Sequence, residues 1–389
     1  MTAARPEVAR AKRIVVKVGT AILTDEGELR TRAFGEIARQ IAALRDGGRE
    51  VVLVSSGAVA VGSRDLGWSV PGESIPEKQA AAAVGQIGLV ELYKRHFRRA
   101  GYSVGQILVT RSGLEDRERF LNARRTLATL LRAGVIPIVN ENDTVATEEI
   151  RFGDNDNLSA TVVNLVGADL LIILTDVDGF HREPPQAGQK KPPLLRVVDA
   201  ITPEIERAAQ GSATVFGRGG MTTKLQAARA AALCGAATIL CNGRKRNAIL
   251  RAAEGEETGT LFRAGVRIRS RKHWLAFTAP ARGELLVDAG AADAIERRGT
   301  SLLPAGISAV RGSFGIGDVI VCRGPDERAI ARGLVAYSSD DIRSIAGRET
   351  STIQQVLGYS NGNEVIHRDD LVLLGDPKDS EPGSPEPEA

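Results

Sequence analysis

Cysteine and histidine are scarce in this chain of 389 residues, and their positions exclude two common kinds of protein. The three cysteines, Cys234, Cys241 and Cys322, have no CxxC spacing and are too few for a scaffold held by disulfides. The four histidines lie far apart along the chain, so no metal site of the HxxxH or His/Cys type is visible. We therefore expect neither a disulfide-rich secreted domain nor a protein-bound metal.

Long apolar runs and an excess of one charge are missing as well. No apolar run approaches the roughly 18 residues of a membrane helix, and the first thirteen residues lack the apolar core of a secretory leader. The chain has 51 Lys and Arg against 48 Asp and Glu, a net charge of +3, which argues against a dedicated polyanion binder. With 43% hydrophobic residues, these features predict a folded protein of the reducing cytoplasm, without membrane contact.

The first 260 residues alternate between short β-branched runs and amphipathic stretches. One stretch, from Phe34 to Leu44, repeats apolar residues at helical spacing and stops at Gly47, and another runs over Arg117–Ala133. This alternation predicts an α/β domain, a mostly parallel sheet sandwiched by helices, whose ligands bind at the carboxyl ends of the strands. The predicted strands are Ile14–Val18, Val51–Val54, Val104–Val109, Val135–Val139, Leu170–Leu174 and Thr238–Leu240.

The pattern changes after about residue 263. A basic stretch leads into short strands, Gly-rich turns and one helix around Ala291–Arg298, which predicts a small, mainly β module. We expect a first domain over residues 1–268, the module over 281–370, and a disordered acidic tail over 376–389. The predicted strands of the module are Gly283–Val287, Ile307–Val310, Val319–Cys322 and Gly333–Tyr337.

Two predicted strands end in residues suited to an anion. Lys17 stands inside an otherwise apolar strand, where its ammonium needs an anion or water at the strand end, and Gly19 then allows backbone amides to approach a phosphate. An edge strand with a lysine reaching solvent explains the same pattern. Ser56, after the second strand, suits a helix cap or an anion site at a helix start, and by itself the cap is favoured.

Two further segments bring many Asn and Asp side chains together. Asn140–Asp143 follows a strand, and Gly153–Asn157 precedes a helix. Turns favour these residue types, yet so many carboxylates in neighbouring loops repel one another unless a cation or lysines offset them. The segments therefore fit either turn chemistry or a charged site.

A glycine-rich segment and an Asp-rich turn complete the set. Gly217–Lys224 opens a helix, and Lys224 in its first turn conflicts with the helix dipole unless an anion is present. Thr175 and Asp176 end another strand, a position suited to a nucleotide's base or ribose or to a plain turn. No GxxxxGK[ST] motif occurs, so a phosphate site must be built from these separate loops. Two lysines, amide-rich turns and carboxylates at one sheet edge favour phosphoryl transfer, which depends on positioning and charge neutralisation.

Seven segments, in order along the chain, resemble the bacterial glutamate 5-kinases of the amino acid kinase superfamily. They are VVKVGT, VSSGAVAVG, DRERFLNAR, VIPIVNENDTVAT, FGDNDNLSA, LTDVDGF and GGMTTKLQAA. The later segments GELLVDAGAADAI, GTSLLPAGI and IARGLVAYSSDDI resemble a PUA domain, so the similarity covers roughly residues 12–373. It implies an enzyme that uses ATP to phosphorylate the γ-carboxylate of L-glutamate, the first step of proline biosynthesis.

The resemblance implies a role for each site residue. Lys17 and Lys224 would contact the phosphates of ATP and stabilise the transferring phosphoryl group, while Asp156 would orient the two lysines. The glutamate-binding residues would be Ser56, Asp143 and Asn155, with Asp143 facing the α-ammonium. The ATP-binding residues would be Lys17, Thr175, Asp176, Arg218, Gly219, Gly220, Met221, Thr222, Thr223 and Lys224. Mg²⁺ would accompany ATP, held mostly by phosphates and water.

Regulation and alternatives follow from the same resemblance. It implies feedback inhibition by proline and a homo-oligomer, while Arg218, where the family commonly has Thr, and the Pro-rich loop Glu183–Pro193 depart from the family pattern. Other kinases of the superfamily act on N-acetylglutamate, aspartate or a nucleoside monophosphate, and an acetylated substrate would have little use for Asp143. A PUA domain together with the basic stretch Arg263–Lys272 also allows RNA binding, which we rank below a role of the module in oligomerisation or regulation.

Overall fold

A computed structural model describes residues 5–25, 27–68, 72–145, 155–183, 192–210, 220–265 and 279–374. The chain divides into two compact units, Met1–Ile268 and Arg269–Ala389. The predicted tail 376–389, most of the Pro-rich loop and of the basic stretch, and Arg218 and Gly219 lie outside the described residues.

Eight strands in the described part of the first unit form one sheet, in the order β5-β6-β4-β1-β7-β9-β10-β8, and β2 and β3 form a separate hairpin. Neighbours from β5 to β9 run parallel, whereas β10 is antiparallel to β9. All six predicted strands are present, with their ends shifted by at most two residues. The strands are β1 (Arg13–Val18), β2 (Thr24–Asp25), β3 (Glu28–Leu29), β4 (Glu50–Ser55), β5 (Val104–Val109), β6 (Ile136–Glu141), β7 (Leu170–Thr175), β8 (Val197–Val198), β9 (Ala237–Asn242) and β10 (Thr260–Phe262).

Helices flank this sheet, which confirms the predicted α/β class. The predicted stretch from Phe34 to Leu44 lies in α3 and buries its apolar face, and Ser74 with Glu77 forms a capping box at the start of α5. No helix of the described part is long and apolar enough to cross a membrane. The helices are α1 (Pro6–Ala9), α2 (Thr20–Leu23), α3 (Thr31–Asp46), α4 (Ala58–Asp65), α5 (Ile75–Arg99), α6 (Arg111–Glu115), α7 (Arg117–Arg132), α8 (Asn155–Val166), α9 (Pro203–Gln210), α10 (Met221–Leu233) and α11 (Ala248–Ala253).

Two glycines let α4 and α5 cross in backbone contact. A Cβ atom on Gly62 would lie 1.7 Å from the carbonyl oxygen of Ala81, and one on Gly85 would lie 1.9 Å from that of Ala58. No side chain fits at such distances, so only glycine allows this crossing. Because α4 follows directly after β4, the crossing fixes the end of β4 against the middle of α5.

The described part of the second unit, residues 279–374, contains a five-stranded sheet around its own apolar core, in the order β12-β11-β13-β14-β15. Its predicted helix is present as α12 (Ala289–Arg298). This agrees with the predicted mainly β module. The other elements are β11 (Ala281–Val287), β12 (Ile307–Gly312), β13 (Val319–Arg323), β14 (Ala329–Leu334), β15 (Leu371–Leu373), α13 (Ser339–Ile345) and α14 (Ile353–Leu357).

One predicted strand of this unit was wrong. The expected strand Gly333–Tyr337 is instead the end of β14, which runs over Ala329–Leu334. The apolar residues after it are buried for another reason: the Tyr337 ring fills the core, and its hydroxyl donates to the carbonyl of Gly362 at 2.5 Å. An apolar run that closes a core cannot be distinguished by its pattern from a buried strand.

Candidate active site

The strand order brings most of the predicted site residues to one edge of the sheet. Strands β6, β4, β1 and β7 are consecutive and parallel, so their carboxyl ends lie side by side. Lys17 lies next to the end of β1, Ser56 follows β4, Asn140 lies near the end of β6, and Thr175 ends β7. Lys17 is only 6% exposed, and β1 is a central strand, so the alternative of an edge-strand lysine reaching solvent is wrong.

A single buried carboxylate joins the two lysines. Asp156, in the first turn of α8, has a side chain that is 1% exposed. Its Oδ1 atom lies 2.5 Å from Nζ of Lys17, and its Oδ2 atom accepts a hydrogen bond from Nζ of Lys224 at 3.1 Å. The Thr223 hydroxyl lies 2.9 Å from the same Oδ2 atom. Residues from three separate elements, β1, α8 and α10, therefore meet at one carboxylate.

The neighbours of Asp156 determine its protonation state. Burial alone raises the pKa of a carboxyl group, but the charges of Lys17 and Lys224 and hydrogen bonds from Lys17 and Thr223 bring the pKa of Asp156 down to about 2. Asp156 is therefore a carboxylate at neutral pH. Two lysines and one carboxylate leave an excess of one positive charge in a buried place, which suits an incoming polyanion.

The start of α10 shows how a lysine is tolerated in a first helical turn. Gly220 is the N-cap residue, and Lys224 follows four residues later, where a positive charge opposes the helix dipole. The Asp156 carboxylate offsets this charge. The sequence predicted a bound anion at this position, whereas the negative charge that the structure shows beside Lys224 belongs to Asp156 of α8.

Asn155 is the centre of a second cluster, beside the first. Its Nδ2 atom lies 3.0 Å from the Ser55 carbonyl oxygen, 3.0 Å from Ser56 Oγ and 2.9 Å from Asn140 Oδ1. Since the Ser55 carbonyl can only accept, the amide nitrogen of Asn155 must face this group, and its Oδ1 atom points elsewhere. Ser56 and Asn155, both predicted for the substrate, are thus in direct contact.

Helix α5 supports these loops from behind. Gln86 Oε1 accepts a hydrogen bond from Asn140 Nδ2 at 2.7 Å, and the Tyr93 hydroxyl lies 3.2 Å from Ser55 Oγ. Tyr93 is fully buried, which raises the pKa of its hydroxyl. Our sequence prediction missed both α5 residues, because a helical face with one glutamine and one tyrosine has no recognisable motif.

The remaining predicted residues lie at the ends of β6 and β7. Asp143 is half-buried in the turn directly after β6. The Thr175 hydroxyl donates to Asp176 Oδ1 at 3.1 Å, and the Asp176 side chain reaches solvent. Beyond it, Asp178 pairs with Lys245 at 2.8 Å, an exposed pair that the sequence prediction did not include. Among the described residues, no group of three His, Cys, Asp or Glu side chains could hold a metal ion.

Two protein-family models match this chain. Residues 12–242 match the amino acid kinase family model, and residues 283–357 match the PUA domain model. Among solved structures, the T. acidophilum isopentenyl phosphate kinase product complex matches with a TM-score of 0.43 and 17% identity, over 64% of this chain and 100% of that chain. The fold and the matched model define a kinase domain of the amino acid kinase type, followed by a PUA domain.

Named relatives narrow the class further. The chain is 50% identical over 370 residues to the glutamate 5-kinase of Geobacter sulfurreducens, covering 94% of this chain and 99% of that relative. It is 49% identical over 372 residues to the glutamate 5-kinase of Burkholderia multivorans, covering 95% and 100% respectively. The chain belongs to the glutamate 5-kinase family. The resemblance seen in the sequence is confirmed over nearly the whole chain.

Proposed function

We propose that the first unit transfers the γ-phosphoryl group of ATP to the γ-carboxylate of L-glutamate, giving L-glutamyl 5-phosphate and ADP in the first step of proline biosynthesis. The observation that carries this proposal is the pair of buried lysines joined by Asp156 at the carboxyl edge of the sheet. Phosphoryl transfer requires donors placed around the transferring group more than it requires covalent chemistry by the protein.

In this mechanism Lys17 and Lys224 bind phosphate oxygens of ATP and stabilise the charge on the transferring phosphoryl group. Asp156 keeps both ammonium groups aimed at one place and stays ionised, as its lowered pKa requires. No general base is needed, because the attacking γ-carboxylate is already ionised at neutral pH. The donors are in place before the reaction, so little reorganisation is needed when charge develops.

ATP and its Mg²⁺ would bind at elements next to the two lysines. The start of α10, Gly220–Lys224, presents backbone N–H groups suited to phosphates, and Thr175 with Asp176 ends the adjacent strand β7. Arg218 and Gly219 would extend this binding segment. Mg²⁺ fits as a companion of ATP held by phosphate oxygens and water, and it would neutralise phosphate charge when bound.

The amino-acid substrate fits the Asn155 cluster. Ser56 offers a hydroxyl, and Asn155 has an oxygen that accepts from no described residue. A hydroxyl donor beside an amide acceptor suits a carboxylate next to an ammonium, and Asp143 adds a charge for that ammonium. N-acetylglutamate has no ammonium, so it is the weaker candidate.

The proposal also covers inhibition by proline, the oligomeric state and the cellular compartment. Proline carries the same α-carboxylate and ammonium as glutamate, so it would compete for Ser56, Asp143 and Asn155 as a feedback inhibitor. We propose a homo-oligomer in the cytoplasm, a reducing compartment that suits the three buried free cysteines. RNA binding by the second unit is a second candidate, supported by the PUA match over 283–357.

The test is to identify the product. Purified protein is incubated with Mg-ATP, hydroxylamine and glutamate whose γ-carboxylate carries ¹⁸O, and the hydroxamate and phosphate are analysed by mass spectrometry. The proposal predicts γ-glutamyl hydroxamate and ¹⁸O in the released phosphate. Release of ADP without hydroxamate, or of phosphate without ¹⁸O, would contradict transfer to the carboxylate.

A further inference from the structure

Gln86 is a buried glutamine whose two amide ends have very different surroundings. It lies in the middle of α5 and is 8% exposed. Its Oε1 atom accepts from Asn140 Nδ2 at 2.7 Å, whereas its Nε2 atom has no hydrogen-bond acceptor within the part of the chain that the structure describes. A buried donor without an acceptor costs free energy that an apolar side chain would avoid. The bond to Asn140 therefore needs an explanation other than packing.

Asn140 links Gln86 to the Asn155 cluster. Its Nδ2 atom donates to Gln86, and its Oδ1 atom accepts from Asn155 Nδ2 at 2.9 Å, so the amides of Gln86, Asn140 and Asn155 form one directed chain. Its direction is fixed at the far end by the Ser55 carbonyl, which can only accept. Were Asn140 to turn over, two amide nitrogens would face each other.

This chain of three hydrogen-bonded amides also determines which hydrogen-bonding atoms remain for a ligand. Asn155 Nδ2 has two protons and three acceptors within 3.0 Å, namely Ser55 O, Ser56 Oγ and Asn140 Oδ1. When Asn140 Oδ1 is held in place, it takes one of these protons, and the other is shared between Ser55 O and Ser56 Oγ. The Ser56 hydroxyl, which donates to no described residue, and Asn155 Oδ1 are then left for the substrate.

Gln86 is itself held in a fixed place. Its neighbour Gly85 lies at the crossing of α5 with α4, where a Cβ atom would be 1.9 Å from the Ala58 carbonyl oxygen. Seven residues further along α5, Tyr93 contacts Ser55. The helix therefore cannot shift relative to the end of β4 without disrupting both contacts.

We propose that Gln86 is a positioning residue for the amino-acid substrate, which acts through Asn140 to hold Asn155 and Ser56 ready for an α-ammonium and a carboxylate. This inference rests on the proposed function and adds a residue that supports selectivity for a free α-amino acid, beside the charge of Asp143. Gln86 does not touch the phosphoryl group, so its loss affects glutamate and leaves ATP binding intact.

The test compares Gln86→Met and Gln86→Leu with wild type, using two apolar side chains of similar volume so that at least one packs well. Each variant is assayed for kcat and for both KM values, with glutamate and with glutarate, which is glutamate without its ammonium. We expect the KM for glutamate to rise about tenfold, the KM for ATP to change less than about twofold, and the preference for glutamate over glutarate to fall about tenfold. Gln86→Glu, which keeps an acceptor for Asn140, should retain most of that preference.

Gln40→Met is the matched control. Gln40 is also a buried glutamine, at 6% exposure, but it accepts from the backbone N–H of Ile249, at the start of α11. The Gln40→Met variant should have a lower Tm than wild type, with both KM values and the preference for glutamate over glutarate unchanged.

These assays distinguish failure of the inference about Gln86 from failure of the proposed function. Gln86 variants that lose stability but keep the glutamate KM and the glutamate-over-glutarate preference would overturn the inference, as would equal rises in both KM values. Wild-type protein that fails to turn over glutamate would instead contradict the proposed function. The shift in Tm that glutamate produces is recorded for every variant, because it reports substrate binding without turnover.

Discussion

Lys17 and Asp156 are in contact at 2.5 Å, although one lies in a central strand and the other in a helix more than a hundred residues further along the chain. The contact exists because β1 ends at the same sheet edge that α8 approaches. Lys224, from the start of α10, reaches the same carboxylate. This triad is the feature from which the proposed phosphoryl transfer follows.

Replacing either lysine should reduce turnover strongly. Lys17→Met and Lys224→Met are each expected to lower kcat by about 10²- to 10⁴-fold, since each removes a preorganised charge from the transferring phosphoryl group. Lys94→Met, at an exposed lysine of α5, is the control and should leave kcat unchanged. Circular dichroism checks that all three variants fold. A folded Lys17 or Lys224 variant with near-wild-type kcat would remove that lysine from the site.

Stability should depend on pH through Asp156. Because its folded-state pKa is lowered to about 2, its ion pairs stabilise the fold at pH values above the ordinary carboxyl pKa, and this contribution is lost as pH falls from about 4 to about 2. Asp156→Asn should cost about 3–5 kcal/mol at pH 7, and the difference from wild type should shrink toward pH 2.

Urea unfolding at several pH values measures this difference. Asp199→Asn is the control, because Asp199 forms an exposed pair with Arg263 and should change stability by less than about 1 kcal/mol at any pH. A constant difference between Asp156→Asn and wild type from pH 7 to pH 2 would show that folding does not lower the pKa of Asp156, which would contradict this account.

The substrate and phosphate sides of the site should separate kinetically. Asp143→Asn is expected to raise the KM for glutamate at least about tenfold with little change in the KM for ATP, because the proposed partner of Asp143 is the substrate's ammonium. Asp156→Asn should instead lower kcat, with smaller changes in both KM values. Steady-state kinetics of the two variants measure this, and the reverse pattern would show that the two roles are exchanged.

Much of the fold followed from the sequence. The six β-branched runs were recognisable because strands buried on both faces are continuously apolar. The hairpin β2–β3 and the antiparallel strand β10 were missed, since elements of two or three residues leave no periodic pattern.

The site was predictable in part. Lys17 stands out as a charge inside an apolar strand, Ser56 as a polar residue directly after one, and Asp156 as part of a carboxylate-rich segment before a helix. The resemblance assigned their roles. Which atoms meet was not predictable, since the pairing of Lys17 with Asp156 depends on strand order. Gln86 lies on a helix whose sequence alone gives no reason to single it out.

The second unit should be dispensable for catalysis and for proline binding. A chain ending at Ile268 retains the whole first unit and is expected to keep kcat within about threefold, because every proposed site residue lies within it. Proline inhibition should be competitive with glutamate in both lengths of chain. Kinetics at varied proline measure this, and a soluble, folded but inactive short chain would place the second unit in the catalytic machinery.

The central claim is that this site phosphorylates glutamate, and the most direct measurement of it is acceptor specificity. ADP release is followed with Mg-ATP and one acceptor at a time: L-glutamate, N-acetylglutamate, L-aspartate or a nucleoside monophosphate. We expect kcat/KM for L-glutamate to exceed that of each other acceptor by at least about 100-fold, because only glutamate combines a free α-ammonium with a carboxylate at the reach of the lysine pair. A higher kcat/KM for any of the other three acceptors would contradict the account.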